Sequence, residues 1–235
     1  MSFTLSDIVP WGRTFDEYVA MFALSDEDLG KRILGCGDGP AAFNAMATKK
    51  GGDVTSVDPL YQFSLTEIDK RIQETALTVA EQTRLNVGEF VWTHFNTVDD
   101  LIAARMGAMS LFLVDYENGL ADGRYVTGSL PDLPFKSKTF QLALCSHFLF
   151  LYSERHDAAF HVQSILELMR VASEVRIFPL LELGARPSRH ITDVMKALIK
   201  QGMIVTREPV PYEFQKGGNE MLRIVSSSTE GADPS

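Results

Sequence analysis

Arg32-Ile33-Leu34-Gly35-Cys36-Gly37-Asp38-Gly39-Pro40, followed after a short stretch by Val54-Thr55-Ser56-Val57-Asp58-Pro59, decides the fold of this 235-residue chain. Arg32 to Leu34 reads as a strand, and three glycines at alternate positions follow it at once. Pro40 suits the first turn of a helix, where its missing N–H is not needed. Ala41 to Thr48 continue that helix with Phe43 and Met46 as apolar contacts, and Gly51-Gly52 break it. Val54 to Val57 form a second strand. The stretch is one βαβ unit, which predicts a parallel strand pair.

The same residues suggest a ligand. Glycine at 35, 37 and 39 lets backbone N–H groups approach a bound molecule without a Cβ in the way. The helix N-terminus beyond adds partial positive charge. Asp58 lies 23 residues after Gly35, at the end of the second strand. A carboxylate there can accept two hydrogen bonds from a ribose diol, so the unit describes a site for an adenosine-containing cofactor. Two cofactors compete: a dinucleotide and S-adenosylmethionine. The dinucleotide pattern wants Gly or Ala at its sixth position, where this chain has Pro40. The G-x-G-x-G spacing is the one used around the amino-acid part of S-adenosylmethionine.

Upstream, Thr14 and Glu17 have capping-box spacing, and Phe15, Tyr18, Val19 and Phe22 form one apolar stripe. Ser25 and Asp28 mark a second turn or short helix. Downstream, residues 62–123 carry two long helical patterns where a compact α/β domain usually needs one. The first opens at Ser64 and Glu67, with Leu65, Ile68, Ile72, Ala76 and Val79 as its stripe. The second opens at Thr97, with Val98, Leu101, Ile102, Met109, Phe112, Leu113 and Tyr116. Between them lies the aromatic cluster Phe90, Trp92, His94 and Phe95. We expect this insertion to be a lid, with Tyr18 and Phe22 closing the other side, or alternatively a homodimer face.

Strand signals resume at Tyr125 to Thr127 and Phe140 to Cys145. A helix over Glu154 to Ala172, a strand over Glu174 to Phe178 and a helix from Pro187 to about Gln201 follow. Strands Ile204 to Pro209 and Met221 to Val225, with the Gly217-Gly218-Asn219 turn between them, read as an antiparallel hairpin. The expected fold is α/β: a Rossmann-like, doubly wound, mostly parallel seven-stranded sheet with an antiparallel C-terminal strand and a helical insertion. Residues 1–225 are expected to form one domain, and 226–235 a flexible tail.

Composition narrows the function. Net charge is −9, and no dense basic stretch offsets it, so a nucleic-acid partner is not expected. No apolar run approaches the roughly 18 residues of a membrane helix. Met1 to Pro10 carry no secretory pattern, and the expected location is cytoplasmic. Cys36 and Cys145 cannot build a disulfide scaffold and read as small buried residues rather than a redox pair. No metal site is expected, because none of the five histidines pairs with another His or Cys at ligand spacing.

The second half carries a further pattern: Tyr125-Val126-Thr127-Gly128-Ser129-Leu130-Pro131-Asp132-Leu133-Pro134-Phe135 runs into Thr139-Phe140-Gln141-Leu142-Ala143-Leu144-Cys145-Ser146-His147. With the glycine turn and Asp58, this resembles the class I S-adenosylmethionine-dependent methyltransferases, specifically the type 11-like group. The resemblance spans about Lys31 to Pro59 and Arg124 to Leu180. It implies that Gly35, Cys36, Gly37 and Gly39 wrap the methionine and ribose side, that Asp58 holds the ribose hydroxyls, and that Pro59 and Leu60 flank adenine. Ser129 and Leu130 would reach the adenine edge. Cys145, Ser146 and His147 would line the sulfonium end and the substrate pocket.

Three positions depart from the pattern. Ile33 stands where an acid usually precedes the glycines, which makes Asp38 the candidate for the cofactor's amino group. Ser129 stands where the adenine-edge acid is common. No Asn-Pro-Pro-aromatic tetrad follows the fourth strand, which weighs against methylation of DNA amines. The implied activity is methyl transfer to a small-molecule acceptor, with aminopropyl transfer or a non-catalytic cofactor-binding role as alternatives. His147 reads either as a general base or as a residue that only lines the pocket. Arg186, Arg189 and His190 read as a solvated positive cluster, or as a site for an anionic substrate group.

Overall fold

The computed structural model describes residues 9–227. In chain order the elements are α1 (Phe15–Met21), α2 (Asp26–Leu29), β1 (Arg32–Cys36), α3 (Phe43–Lys49), β2 (Asp53–Val57), α4 (Leu65–Leu85) and α5 (Val98–Ala121). Then come β3 (Tyr125–Val126), β4 (Phe140–Ser146), α6 (Ala158–Val171), β5 (Ala172–Phe178), β6 (Leu181–Glu182), β7 (Arg186–Pro187), α7 (Ile191–Lys200), β8 (Met203–Pro209) and β9 (Glu220–Ser226).

Seven strands form one sheet in the order β3-β2-β1-β4-β5-β9-β8. The first five are parallel, while β9 runs antiparallel to both β5 and β8. This is the Rossmann-like sheet expected from the sequence. β6 and β7 form a separate two-stranded ribbon that the sequence reading lacked.

Neighbouring residues of β1 face opposite sides of the sheet, and each side builds its own core. Leu34 and Cys36 join Ala143, Cys145, Val175 and Ile177 under α6 and α7. Ile33 joins Val54, Leu142 and Leu144 with Tyr18, Phe22 and Phe43 from α1 and α3. The two insertion helices pack on each other over Leu60, Tyr61, Ile68, Ile72, Phe112, Tyr116 and Tyr125.

Several boundaries differ from expectation for local reasons. α3 begins at Phe43, with Ala42 as its N-cap, so Pro40 stands in the turn before it. α6 begins at Ala158, because the Asp157 side chain accepts from the Phe160 N–H and caps it there. α7 begins at Ile191, because Pro187 is taken by the β6–β7 ribbon. Ser226 belongs to β9, opposite Met203, and the Ser227 N–H donates to the Gly202 carbonyl at 3.2 Å, so the expected tail does not begin at 226. Its remainder lies outside the described residues. Among the described residues, no helix is long and apolar enough to cross a membrane.

Candidate functional site

A cavity of about 350 Å³ opens at the carboxyl edge of β1, β2 and β4. In an open parallel sheet, this is where the strand order reverses and ligands bind. Of the residues singled out in the sequence, Cys36, Gly37, Asp38, Gly39, Asp58, Pro59, Leu60, Ser129, Leu130, Ser146 and His147 line it. Gly35 and Cys145 do not. Cys145 is fully buried beside Cys36, its register partner across β1 and β4. Gly35 lies in β1, and the space a side chain would need is filled by Asp38.

The turn is held by two carboxylates. Asp58 Oδ2 accepts from the Gly39 N–H at 2.9 Å, and Oδ1 accepts from the Leu60 N–H at 2.8 Å. This fixes the glycine turn to the segment after β2. Burial raises the Asp58 pKa against the pull of these two N–H groups. Asp38 folds back into the protein. Its Oδ1 accepts from the Tyr18 hydroxyl at 2.8 Å and its Oδ2 from the Ser56 hydroxyl at 2.6 Å. Burial pushes its pKa up to about 6. Gly37 and Gly39 both adopt positive φ, +69° and +51°, which explains glycine at these two positions. A Cβ on Gly37 would also crowd Phe148 Cβ at 3.0 Å.

At the end of β4, His147 has a positive φ of 52°, unusual for a non-glycine residue. Its N–H donates to the Phe178 carbonyl at 2.7 Å, and its Nδ1 lies 2.9 Å from Ser146 Oγ. Burial, then Arg13 and Arg105, hold the imidazole pKa well below its usual range, so the ring is neutral near pH 7.

Beyond His147 the cavity continues between residues not singled out as site residues in the sequence, although Val79 and Leu101 belong to the stripes of the insertion expected to form a lid. Trp11 and Arg13 precede α1, Val79 and Thr83 come from α4, and Leu101 and Arg105 from α5. Tyr212, Phe214 and Gln215 come from the loop joining β8 to β9. Of the aromatic cluster only Phe90 lines the cavity, stacked on Phe214 at 4.7 Å; His94 backs the wall, stacked on Tyr212 at 5.2 Å. Tyr18 lines the cavity as expected, but Phe22 does not; it is fully buried against Phe178.

Glu17 ties this wall together. Its Oε2 accepts from the Thr14 N–H and hydroxyl and from Arg105, and its Oε1 accepts from the Tyr212 hydroxyl at 2.7 Å. Burial alone would raise the Glu17 pKa. Arg105, with Arg13 and Thr14, outweighs it and holds the carboxyl at about 2. Burial and then Arg105 hold Arg13 down at about 10. By contrast, Arg186 and Arg189 are occupied at Glu182 and Glu154, and His190 Nε2 lies 3.1 Å from the Ser153 carbonyl; none of the three lines this cavity. Among the described residues no cluster of His, Cys, Asp and Glu could hold a metal ion.

The chain is 34% identical over 221 residues to "Uncharacterized protein MJ0045" of Methanocaldococcus jannaschii, spanning 94% of this chain and 97% of that protein. The two share a family. The chain belongs with this archaeal protein over essentially its whole length. No family model matches the chain. Among solved structures, it is similar to the magnesium protoporphyrin IX methyltransferase of Synechocystis PCC 6803, with 16% identity and a TM-score of 0.46. That match covers 91% of this chain and 78% of the other. It is also similar to an S-adenosylmethionine-dependent methyltransferase of Aquifex aeolicus, with 14% identity and a TM-score of 0.42, covering 89% and 87%.

Proposed function

We propose that the protein binds S-adenosylmethionine and transfers its methyl group to a small-molecule acceptor. One observation carries this reading. A single cavity runs from the glycine turn and Asp58, across the ends of β1 and β4, past His147 and into an aromatic-walled chamber. Such a cavity has room for a cofactor at one end and an acceptor at the other.

The residues present suit this cofactor. Gly37, Gly39 and Gly128 line the cavity with backbone alone; Gly128 is also required by packing, because a Cβ there would meet Val57 Cγ2 at 2.9 Å. Asp58 keeps lone pairs free beyond its two backbone bonds and would hold the ribose hydroxyls. Pro59, Leu60, Ser129 and Leu130 would enclose adenine. Asp38 folds back beneath Gly35 onto the Tyr18 and Ser56 hydroxyls, so its part would be to brace the turn while the Gly37 and Gly39 backbone faces the methionine end.

When bound, S-adenosylmethionine supplies a sulfonium methyl already activated toward nucleophiles, so placement supplies much of the acceleration. His147 is neutral and therefore able to take a proton from an acceptor hydroxyl or amine. With Nδ1–H donating to Ser146 Oγ, Nε2 keeps its lone pair for that proton. Phe178 packs against the His147 ring at 5.5 Å, and Tyr212 and Phe214 line the same cavity. An aminopropyl acceptor would be a polycation and would face Arg13 and Arg105, which disfavours that alternative.

The test is calorimetry with S-adenosylmethionine, S-adenosylhomocysteine and NAD on the wild type and Asp58→Ala. The reading expects both sulfur compounds to bind the wild type and to weaken at least tenfold in the variant. NAD binding without a response to the other two would overturn it.

A further inference from the structure

The chamber beyond His147 holds more positive than negative charge. Arg13 and Arg105 both line it, and among the described residues the acid beside them is Glu17. Glu17 is already saturated: its two oxygens take Thr14, Arg105 and Tyr212. Arg13 makes no ion pair among the described residues, and its Nη1 donates only to the Trp11 carbonyl at 3.0 Å. The Nε groups of Arg13 and Arg105 are buried and, among the described residues, have no hydrogen-bond partner. The Arg105 side chain is 1% exposed and pairs with Glu17, so the guanidinium left without a counter-charge among the described residues is that of Arg13. The other acids on the cavity wall, Asp38 and Asp58, belong to the glycine turn and are engaged there. A buried guanidinium left without a counter-charge is unfavourable, and planar carboxylates match its fork of donors.

We propose that the methyl acceptor is an anion, a largely apolar carboxylate held by Arg13 and Arg105 among the aromatic rings of the chamber. The inference rests on the methyltransferase reading and adds the acceptor's chemical class. Trp11, Phe90, Phe178 and Phe214 supply apolar and aromatic surface for the rest of such a molecule. A carboxylate also occurs on the methionine end of the cofactor, so the same guanidinium chemistry has two sources. Arg105 touches Glu17 and stands 5.4 Å from the centre of the Phe95 ring, on the wall made by α5 and the β8–β9 loop, which favours the acceptor. The Arg13 carbonyl accepts from the Ala42 N–H at 3.0 Å just past the glycine turn, so Arg13 is the residue on which the two sources must be separated.

The experiment titrates benzoate, phenylacetate and their uncharged amides into the protein saturated with S-adenosylhomocysteine, using calorimetry. At least one acid is expected to bind and its amide to bind at least tenfold more weakly. Arg13→Gln is the informative variant, because it breaks no ion pair; its melting temperature checks the fold. It should weaken the acid roughly tenfold or more, while S-adenosylhomocysteine and 5′-methylthioadenosine bind as in the wild type. Arg13→Lys should restore part of the acid affinity. If Arg13→Gln weakened S-adenosylhomocysteine but spared methylthioadenosine, which lacks the carboxylate, the pair would serve the cofactor and the inference would fall. Equal affinity for acids and amides, or no binding of any acid, would overturn it while leaving the cofactor reading intact. Failure of S-adenosylhomocysteine to bind the wild type would overturn both.

Discussion

A Cβ placed on Gly35 would lie 1.8 Å from Oδ2 of Asp38. The first glycine of the turn is therefore required by a neighbouring carboxylate, and the opening for a ligand is left to Gly37 and Gly39. Gly35→Ala should expel Asp38 from its place between Tyr18 and Ser56. The expected cost is about 2–4 kcal/mol, combining overpacking with stranded hydroxyls. Urea denaturation measures it. In an Asp38→Ala background the same change should cost much less; simple additivity of the two would show that they do not meet.

Asp38 should also leave a pH signature. Its folded pKa of about 6 stands above the ordinary 3.8, so the folded state holds the proton more tightly. Its contribution is present below pH 3.8 and is lost as pH rises through 6. Asp38→Asn removes this titration. Relative to the wild type, the variant should gain about 2 kcal/mol between pH 4 and pH 7. Denaturant midpoints at the two pH values decide it, and a constant difference would contradict the buried, ionising carboxyl.

Glu17 has the opposite sign. Its folded pKa of about 2 lies below the ordinary 4.5, so its contribution is present above pH 4.5 and fades as pH falls through 2. Glu17→Gln leaves Arg105 buried without its partner. Loss of one member of such a pair costs about 3–5 kcal/mol at neutral pH. The acid limb of the stability profile should flatten in the variant, which thermal unfolding across pH 2–7 would reveal.

His147 separates chemistry from binding. Its low folded pKa predicts that the imidazole stays neutral well below pH 6.5, so the acid limb of kcat against pH should fall below that value. For a general base, His147→Gln lowers kcat roughly 10²–10⁴-fold, with S-adenosylhomocysteine affinity retained. A change confined to KM would make the residue part of the pocket wall alone.

The insertion between β2 and β3 should respond to cofactor. Val79 and Thr83 of α4 and Leu101 of α5 line the cavity. Hydrogen exchange of residues 62–123 is expected to slow when S-adenosylhomocysteine binds. Unchanged exchange would argue against a cover over the site.

The sheet was readable because its signals are local. Strand, glycine turn, helix and Asp58 fall within one short stretch, and the β8–β9 hairpin announces itself by two runs around Gly217-Gly218. The chamber was harder, because its wall comes from places far apart in the chain. One clue was present. Between Ile102 and Met109 the apolar stripe of the second insertion helix is interrupted, and Arg105 occupies that face, buried in line with Leu101, Met109 and Phe112. A charge on the inward face of an amphipathic helix needs a partner or a ligand. Glu17 hid for another reason. The capping-box spacing explained it fully, yet the same carboxylate also binds Arg105 and Tyr212.

The bond from Tyr212 to Glu17 joins residues 195 positions apart. During synthesis, the glycine turn and Asp58 leave the ribosome long before Tyr212 does. The far wall of the crevice can close only when the final hairpin folds back onto Glu17 of α1.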